Sequence, residues 1–186
     1  MTASAAAVRG RVLGARVAIA IGCGWWLWAI HPLPLLAAAQ LAMLGLGAAG
    51  WVWGMSRMPN VSPMGKSNGG GGRRSRAVGF SLLVVAEIAG LNLVAWLLGP
   101  EALRIYLIPA ISFVVGLHFI PMLWLFRRRE LPVCGAAMIA ASAGAVLAIR
   151  QGAPPALVVG VEGGVNAIIL WATAGYSLSR LRRALA

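Results

Sequence analysis

The sequence predicts an all-α, polytopic membrane helix bundle with six transmembrane helices. Of its 186 residues, 60% are hydrophobic and 11% charged, where a soluble domain carries roughly 25% charged residues. The apolar residues form continuous runs instead of the alternation that marks barrel strands. Six of these runs approach the roughly 20 helical residues needed to cross a hydrocarbon core about 30 Å thick. A mean hydropathy of +0.85 excludes disorder, and two cysteines exclude a disulfide scaffold.

The spans fall near 12–30, 33–54, 77–98, 103–126, 132–149 and 155–178, within one membrane domain covering 1–186. Helix-stopping residues separate them: His31-Pro32 with Pro34, Gly99-Pro100, Glu130 to Pro132, and Pro154-Pro155. The start of the chain imitates a signal peptide, with arginines, an apolar run and then Ala37-Ala38-Ala39-Gln40. His31, Pro32 and Pro34 interrupt that run and a second follows at once, so a retained first helix is expected.

Segment 55–76 reads as a flexible, basic, glycine-rich cytoplasmic loop, with Gly69 to Gly72 followed by Arg73-Arg74-Ser75-Arg76. Its Gly65-Lys66-Ser67 imitates a phosphate-binding loop, but Asn60 stands where the first glycine belongs and no strand precedes it.

Fourteen of the sixteen basic residues lie before or at the start of span 1, after span 2, after span 4 and after span 6. The positive-inside rule then places both termini in the cytoplasm of a cell (inner) membrane protein. Trp25, Trp26, Trp28, Trp96 and Tyr106 would mark the outer interface, and Trp51, Trp53, Trp124 and Tyr176 the inner one. The expected partners are the bilayer itself, anionic headgroups at the cytoplasmic face, and a second copy or another membrane subunit. Nucleic acid is the weaker explanation of the same charges. Cys23 and Cys134 lie in separate spans without metal-type spacing, and no cofactor or metal is expected.

Ionisable groups at membrane depth cost roughly 2.5–3.5 kcal/mol each on insertion scales. Two of the four acids, Glu87 and Glu162, lie there with His118, accompanied by Asn92 and Asn166. At about 1.5 Å per residue, Glu87 lies about 15 Å and His118 about 12 Å from the cytoplasmic end of their spans. The same rise puts Glu162 near 24 Å, Asn92 near 22 Å and Asn166 near 18 Å. If spans 3, 4 and 6 are neighbours, the five residues line one polar ladder for a proton or small substrate. The bland alternative is that they glue helices together at about 0.6–2 kcal/mol per hydrogen bond.

Span 4 carries Pro109 and Pro121, and Pro121 is expected to leave the Leu117 carbonyl, beside His118, without its helical partner. Gly116 would admit a close helix contact at this kink. Span 5 is nearly all small residues, and Ala136, Ala140 and Gly144 predict its packed stripe. Val84-Val85, Glu87, Asn92 and Trp96 answer to Val158-Val159, Glu162, Asn166 and Trp171, with one-residue slips. Such an echo across three spans suggests a 3+3 inverted repeat, a transporter signature.

The string Gly116 to Phe126, GLHFIPMLWLF, resembles a G-x-H-F-x-P segment of small, uncharacterised, multi-span bacterial membrane proteins. The resemblance implies that Gly116, His118, Phe119 and Pro121 belong to a family motif, and it brings no activity with it.

The expected function is therefore transporter-like or permease-like, with Glu87, His118, Glu162, Asn92 and Asn166 forming the path. Alternatives are an accessory, scaffold or substrate-binding subunit of a larger complex, and an intramembrane acid–base enzyme.

Overall fold

A computed structural model describes residues 5–30, 35–57 and 70–185, with side chains from Val8, from Leu41 (and Ala38) and from Val78 in the three stretches. The His31–Pro34 break, most of the basic loop with its Gly65-Lys66-Ser67, and the side chains of Arg73, Arg74 and Arg76 lie outside what is described. The elements are α1 (Ala5–Ile30), α2 (Leu35–Met55), α3 (Gly70–Leu97), a 3₁₀ turn (Glu101–Tyr106), α4 (Leu107–Phe119), α5 (Met122–Phe126), α6 (Glu130–Arg150) and α7 (Pro155–Leu185). No strand occurs among the described residues.

Five stretches are long and apolar enough to cross a membrane: Val8–Ile30, Val78–Leu97, Glu101–Phe126, Glu130–Arg150 and Pro155–Leu185. The described apolar part of α2, Leu41–Met55, is shorter. Helix extends beyond several expected span ends. α1 runs through Arg9 and Arg11, α7 continues through Arg180 to Arg183, and α3 starts at Gly70 instead of 77. Seven residues expected in the flexible loop are thus helical. Once a span has nucleated a helix, each added residue is inexpensive, and arginine is a good helix former.

The chain divides into two compact units, Met1–Lys66 with Gly163–Ala186, and Ser67–Glu162. The first holds α1, α2 and most of α7; the second holds α3 to α6 and the start of α7. This division differs from a sequential 3+3 split, because α3 belongs with α4 and α6.

In the second unit α4 packs chiefly on α6 and also against α3. The α4–α6 seam is a close backbone approach. A methyl group on Gly135 would meet the Gly116 carbonyl oxygen, and one on Gly116 would lie 2.9 Å from the Gly135 carbonyl oxygen. One end of the seam is fixed by the Ser142 hydroxyl, which donates to the Pro109 carbonyl at 2.6 Å. The buried stripe of α6 is Gly135, Met138, Ser142, Ala145 and Ile149. The expected stripe of Ala136, Ala140 and Gly144 is exposed. Almost every face of α6 is small, so its rotation is chosen by the Gly116–Gly135 approach and the Ser142 bond.

α6 ends in a Schellman motif. Gly152, at φ +88°, donates to the Ile149 carbonyl at 3.0 Å while Ala153 donates to Ala148 at 3.0 Å. The left-handed position requires glycine-like freedom, and Pro154-Pro155 then prevents the helix from continuing.

In the first unit two indoles are structural. Trp26 Nε1 donates to the Leu41 carbonyl at 2.8 Å, and Trp171 Nε1 donates to Ile19 at 3.2 Å. Their rings lie 5.6 Å apart, and Trp25 is buried. Trp25 and Trp26, expected at the outer interface, also pack between helices, and the Trp26 indole N–H, in an apolar setting, is held by a nearby carbonyl. Arg16 donates to the Ser56 hydroxyl at 3.1 Å and lies over the Trp53 ring. Arg182 donates from Nε to the Met55 carbonyl at 3.1 Å and from Nη2 to Gly54 at 3.3 Å. It thereby caps the last turn of α2, adding a second donor to the Gly54 carbonyl, which also accepts from Arg57 N–H at 3.1 Å.

Gly135→Ala forces a methyl into the α4–α6 seam and is expected to destabilise by about 1–3 kcal/mol. Gly144 has open space around it, so Gly144→Ala should stay within about 0.5 kcal/mol of the parent. Thermal unfolding in detergent checks both.

Candidate functional site

The candidate site lies on the α3–α4 hairpin. Gly90 of α3 faces Val114 of α4, and Gly79 faces Leu125 farther along. Both contacts belong to one antiparallel register, centred on the turn near Ala102. Glu87 stands fifteen residues before Ala102 and His118 sixteen after it, so the same register brings them level. Glu87 Oε2 lies 3.4 Å from His118 Nδ1. This is an ion-pair distance at the long end for a hydrogen bond. The histidine side chain is 8% exposed and the glutamate 23%, so the pair is shielded on the imidazole side and more open on the carboxylate side. The ring of Phe119 meets His118 edge-on, with centroids 6.1 Å apart.

Just beyond His118 the helix breaks. α4 ends at Phe119 and α5 begins at Met122, with Ile120 and Pro121 forming the turn between them. The Leu117 carbonyl is not left orphaned, because Ile120 N–H donates to it at 3.2 Å. A tightened 3₁₀-type turn supplies the partner that Pro121 denies. The unmatched acceptor is thus satisfied locally. Pro109 likewise causes no mid-span kink. It lies in the first turn of α4, where its missing N–H has no helical acceptor to lose, and the irregularity before it is the 3₁₀ turn.

Glu162 stands elsewhere. It is buried on α7, and the α4 side chain acting on its carboxyl group is Ser112. Ser112 shares the buried α4 stripe with Pro109 and Gly116, the stripe that meets α6. Six residues separate Ser112 from His118, about 9 Å of rise and about a third of a turn in direction. α4 therefore presents its two acid-facing groups to different sides. Asn92 is exposed and donates to the Ile88 carbonyl of its own helix at 2.7 Å. Asn166 is fully buried but belongs to the first compact unit.

Of the five residues expected to line one path, the structure joins Glu87 to His118 and turns Asn92 back on its own backbone; Glu162 is buried with neither carboxyl oxygen hydrogen-bonded. The reason is rotational: depth along a helix does not determine the direction in which a side chain points. Ser112 and Ser142, which organise the buried α4 stripe, were not singled out as site residues. Ser112 lies one turn before Gly116, and that i, i+4 spacing was the available signal.

A carboxylate beside an imidazole can pass a proton between them, and the imidazole also carries a second ring nitrogen for onward transfer. Among the described residues no cluster of three or more His, Cys, Asp or Glu side chains could hold a metal ion. Cys23 and Cys134 remain thiols. No family model, curated protein or solved structure matches the chain.

A double-mutant cycle on Glu87→Gln and His118→Ala is expected to give a coupling of about 0.6–2 kcal/mol, read from unfolding in mixed micelles. Asn92→Ala serves as the contrast and should change stability by less than about 0.5 kcal/mol. Ser142→Ala leaves the Pro109 carbonyl to its helical partner alone and should cost about 1 kcal/mol in the same assay.

Proposed function

We propose that this chain is a small transporter-like or permease-like membrane protein in which Glu87 and His118 carry a proton. The observation that supports this most is the 3.4 Å approach of Glu87 to His118 between two apolar helices. Paired ionisable groups at membrane depth are expensive and mark proton relays and ion pathways. The break at Ile120–Pro121, one turn from the imidazole, adds irregular backbone beside it, and such backbone within a membrane faces protein or a watery cavity. Glu162 and Ser112 form a second polar point, not a continuation of the first.

In this reading the chain has six spans, with α2 as the second. Both termini face the cytoplasm of an inner membrane, as the arginine distribution requires. The Val-Val…Glu…Asn…Trp echo between α3 and α7 is the trace of a 3+3 inverted duplication whose helices have exchanged between units. Gly116, His118, Phe119 and Pro121 act as one motif: Gly116 seats α4 on α6, His118 meets Glu87, and Pro121 ends the helix. Membership of the small bacterial membrane proteins with a G-x-H-F-x-P segment follows from that motif.

One observation favours a second reading, an accessory subunit or homodimer. None of the apolar window of α3, Val78–Leu97, is buried. A helix so open has its outward face available for lipid or for another membrane subunit.

Purified protein in proteoliposomes with a trapped pH-sensitive dye tests the first reading. Under an imposed potential the parent should dissipate a pH gradient faster than empty vesicles, and Glu87→Gln and His118→Ala should each lose most of that excess. Parent flux equal to that of empty vesicles, or flux unchanged in both variants, removes the pair from any proton path. Co-purification of a stable subunit with all variants would favour the accessory reading.

A further inference from the structure

The first compact unit contains an apolar groove of about 650 Å³, within the range of small-ligand sites. α2 and α7 form its walls, from Gly45 to Met55 on one side and from Ile168 to Ser179 on the other. Trp26 and Trp171 reach into its floor. Both floor indoles have their N–H groups committed to backbone carbonyls, at Leu41 and Ile19. Small residues, Gly45, Ala48, Ala172 and Gly175, give it depth. Such a floor offers almost nothing to a polar solute and much contact to a hydrocarbon chain.

The groove has one polar end. Met55 and Ser179 lie there, and Arg182, three residues beyond Ser179, spans from α7 to the Met55 and Gly54 carbonyls of α2. A guanidinium has five N–H donors, and these two bonds leave others for an anion. Arg180 is placed over the ring of Tyr176, 6.0 Å from its centroid, and Tyr176 lines the groove. The whole unit, residues 1–66 and 163–186, contains no Asp or Glu. Its arginines therefore have no acidic side chain of their own unit as counterion.

The ten helical rises from Gly45 to Met55 span about 15 Å, half of a hydrocarbon core about 30 Å thick. An apolar groove about one leaflet long, with Arg182 bridging the helices at its polar end and Arg180 beside it over Tyr176, matches the length and polarity of an acyl chain below an anionic headgroup. We infer that the α2–α7 groove binds one anionic phospholipid, its acyl chain between Ala48 and Ala172 and its phosphate at Arg180 and Arg182. This site requires only that the chain lie in a bilayer; it stands or falls independently of proton transfer at Glu87 and His118.

Native mass spectrometry of the full chain in mild detergent, with equal amounts of phosphatidylglycerol and phosphatidylcholine carrying the same acyl chains, provides the test. The parent should retain one phosphatidylglycerol and little phosphatidylcholine. A charge near a membrane surface changes anion affinity about fivefold, so Arg180→Gln with Arg182→Gln should weaken the adduct roughly twentyfold. Ala172→Trp, at an exposed position, should abolish it by filling the groove. Arg182→Lys keeps the charge and should keep most of the binding if the double variant fails to fold. Equal retention of the two lipids overturns the proposal. So does a phosphatidylglycerol adduct that survives Ala172→Trp, since the lipid would then be held by surface charge outside the groove.

Discussion

Helical hairpins in hydrocarbon impose depth matching, and the candidate site depends on it. Backbone polar groups cannot be left open in lipid, so each span satisfies itself as a helix and turns are pushed toward the interfaces. Once the turn near Ala102 is fixed, residues at equal distance on either side lie at equal depth. Gly79 with Leu125, Gly90 with Val114, and Glu87 with His118 all obey that register. The pair at the centre of the proposed function is thus a consequence of where one loop lies, together with two glycines that let α4 come close.

Close approach is the second recurring theme. Where α4 meets α6, the two glycine backbones touch, and a serine hydroxyl bonds a carbonyl across the seam. Without a hydrophobic drive between helices in lipid, such packing and hydrogen bonding are what associate them. In the first unit bulk replaces smallness: Trp26 and Trp171 fill the space between helices and are held by carbonyls on the neighbouring elements. The same indoles then form the floor of a groove, so one packing solution also creates a site for lipid. Arg182 shows similar economy, ending α2 by bonding its last carbonyls while leaving donors at the groove mouth.

The two polar points differ in character. Glu87 is the more open partner of the Glu87–His118 pair. Glu162 is buried on another side of α4, near a hydroxyl.

Much was legible in the residues alone. Continuous apolar runs gave the five stretches long and apolar enough to cross a membrane, prolines and glycines gave breaks between them, and residue spacing put Glu87 and His118 in one layer. These are one-dimensional properties: length, hydropathy and distance from a turn. What tertiary structure decided was rotation. Helices that are apolar on every face carry no amphipathic stripe to fix which side turns inward, so Gly135 and Ser142, not Ala136 and Gly144, became the packed face of α6. For the same reason Asn92 turned outward, onto the Ile88 carbonyl of its own helix. Sequence sets how deep a membrane residue lies; only contact between neighbouring helices sets where it points.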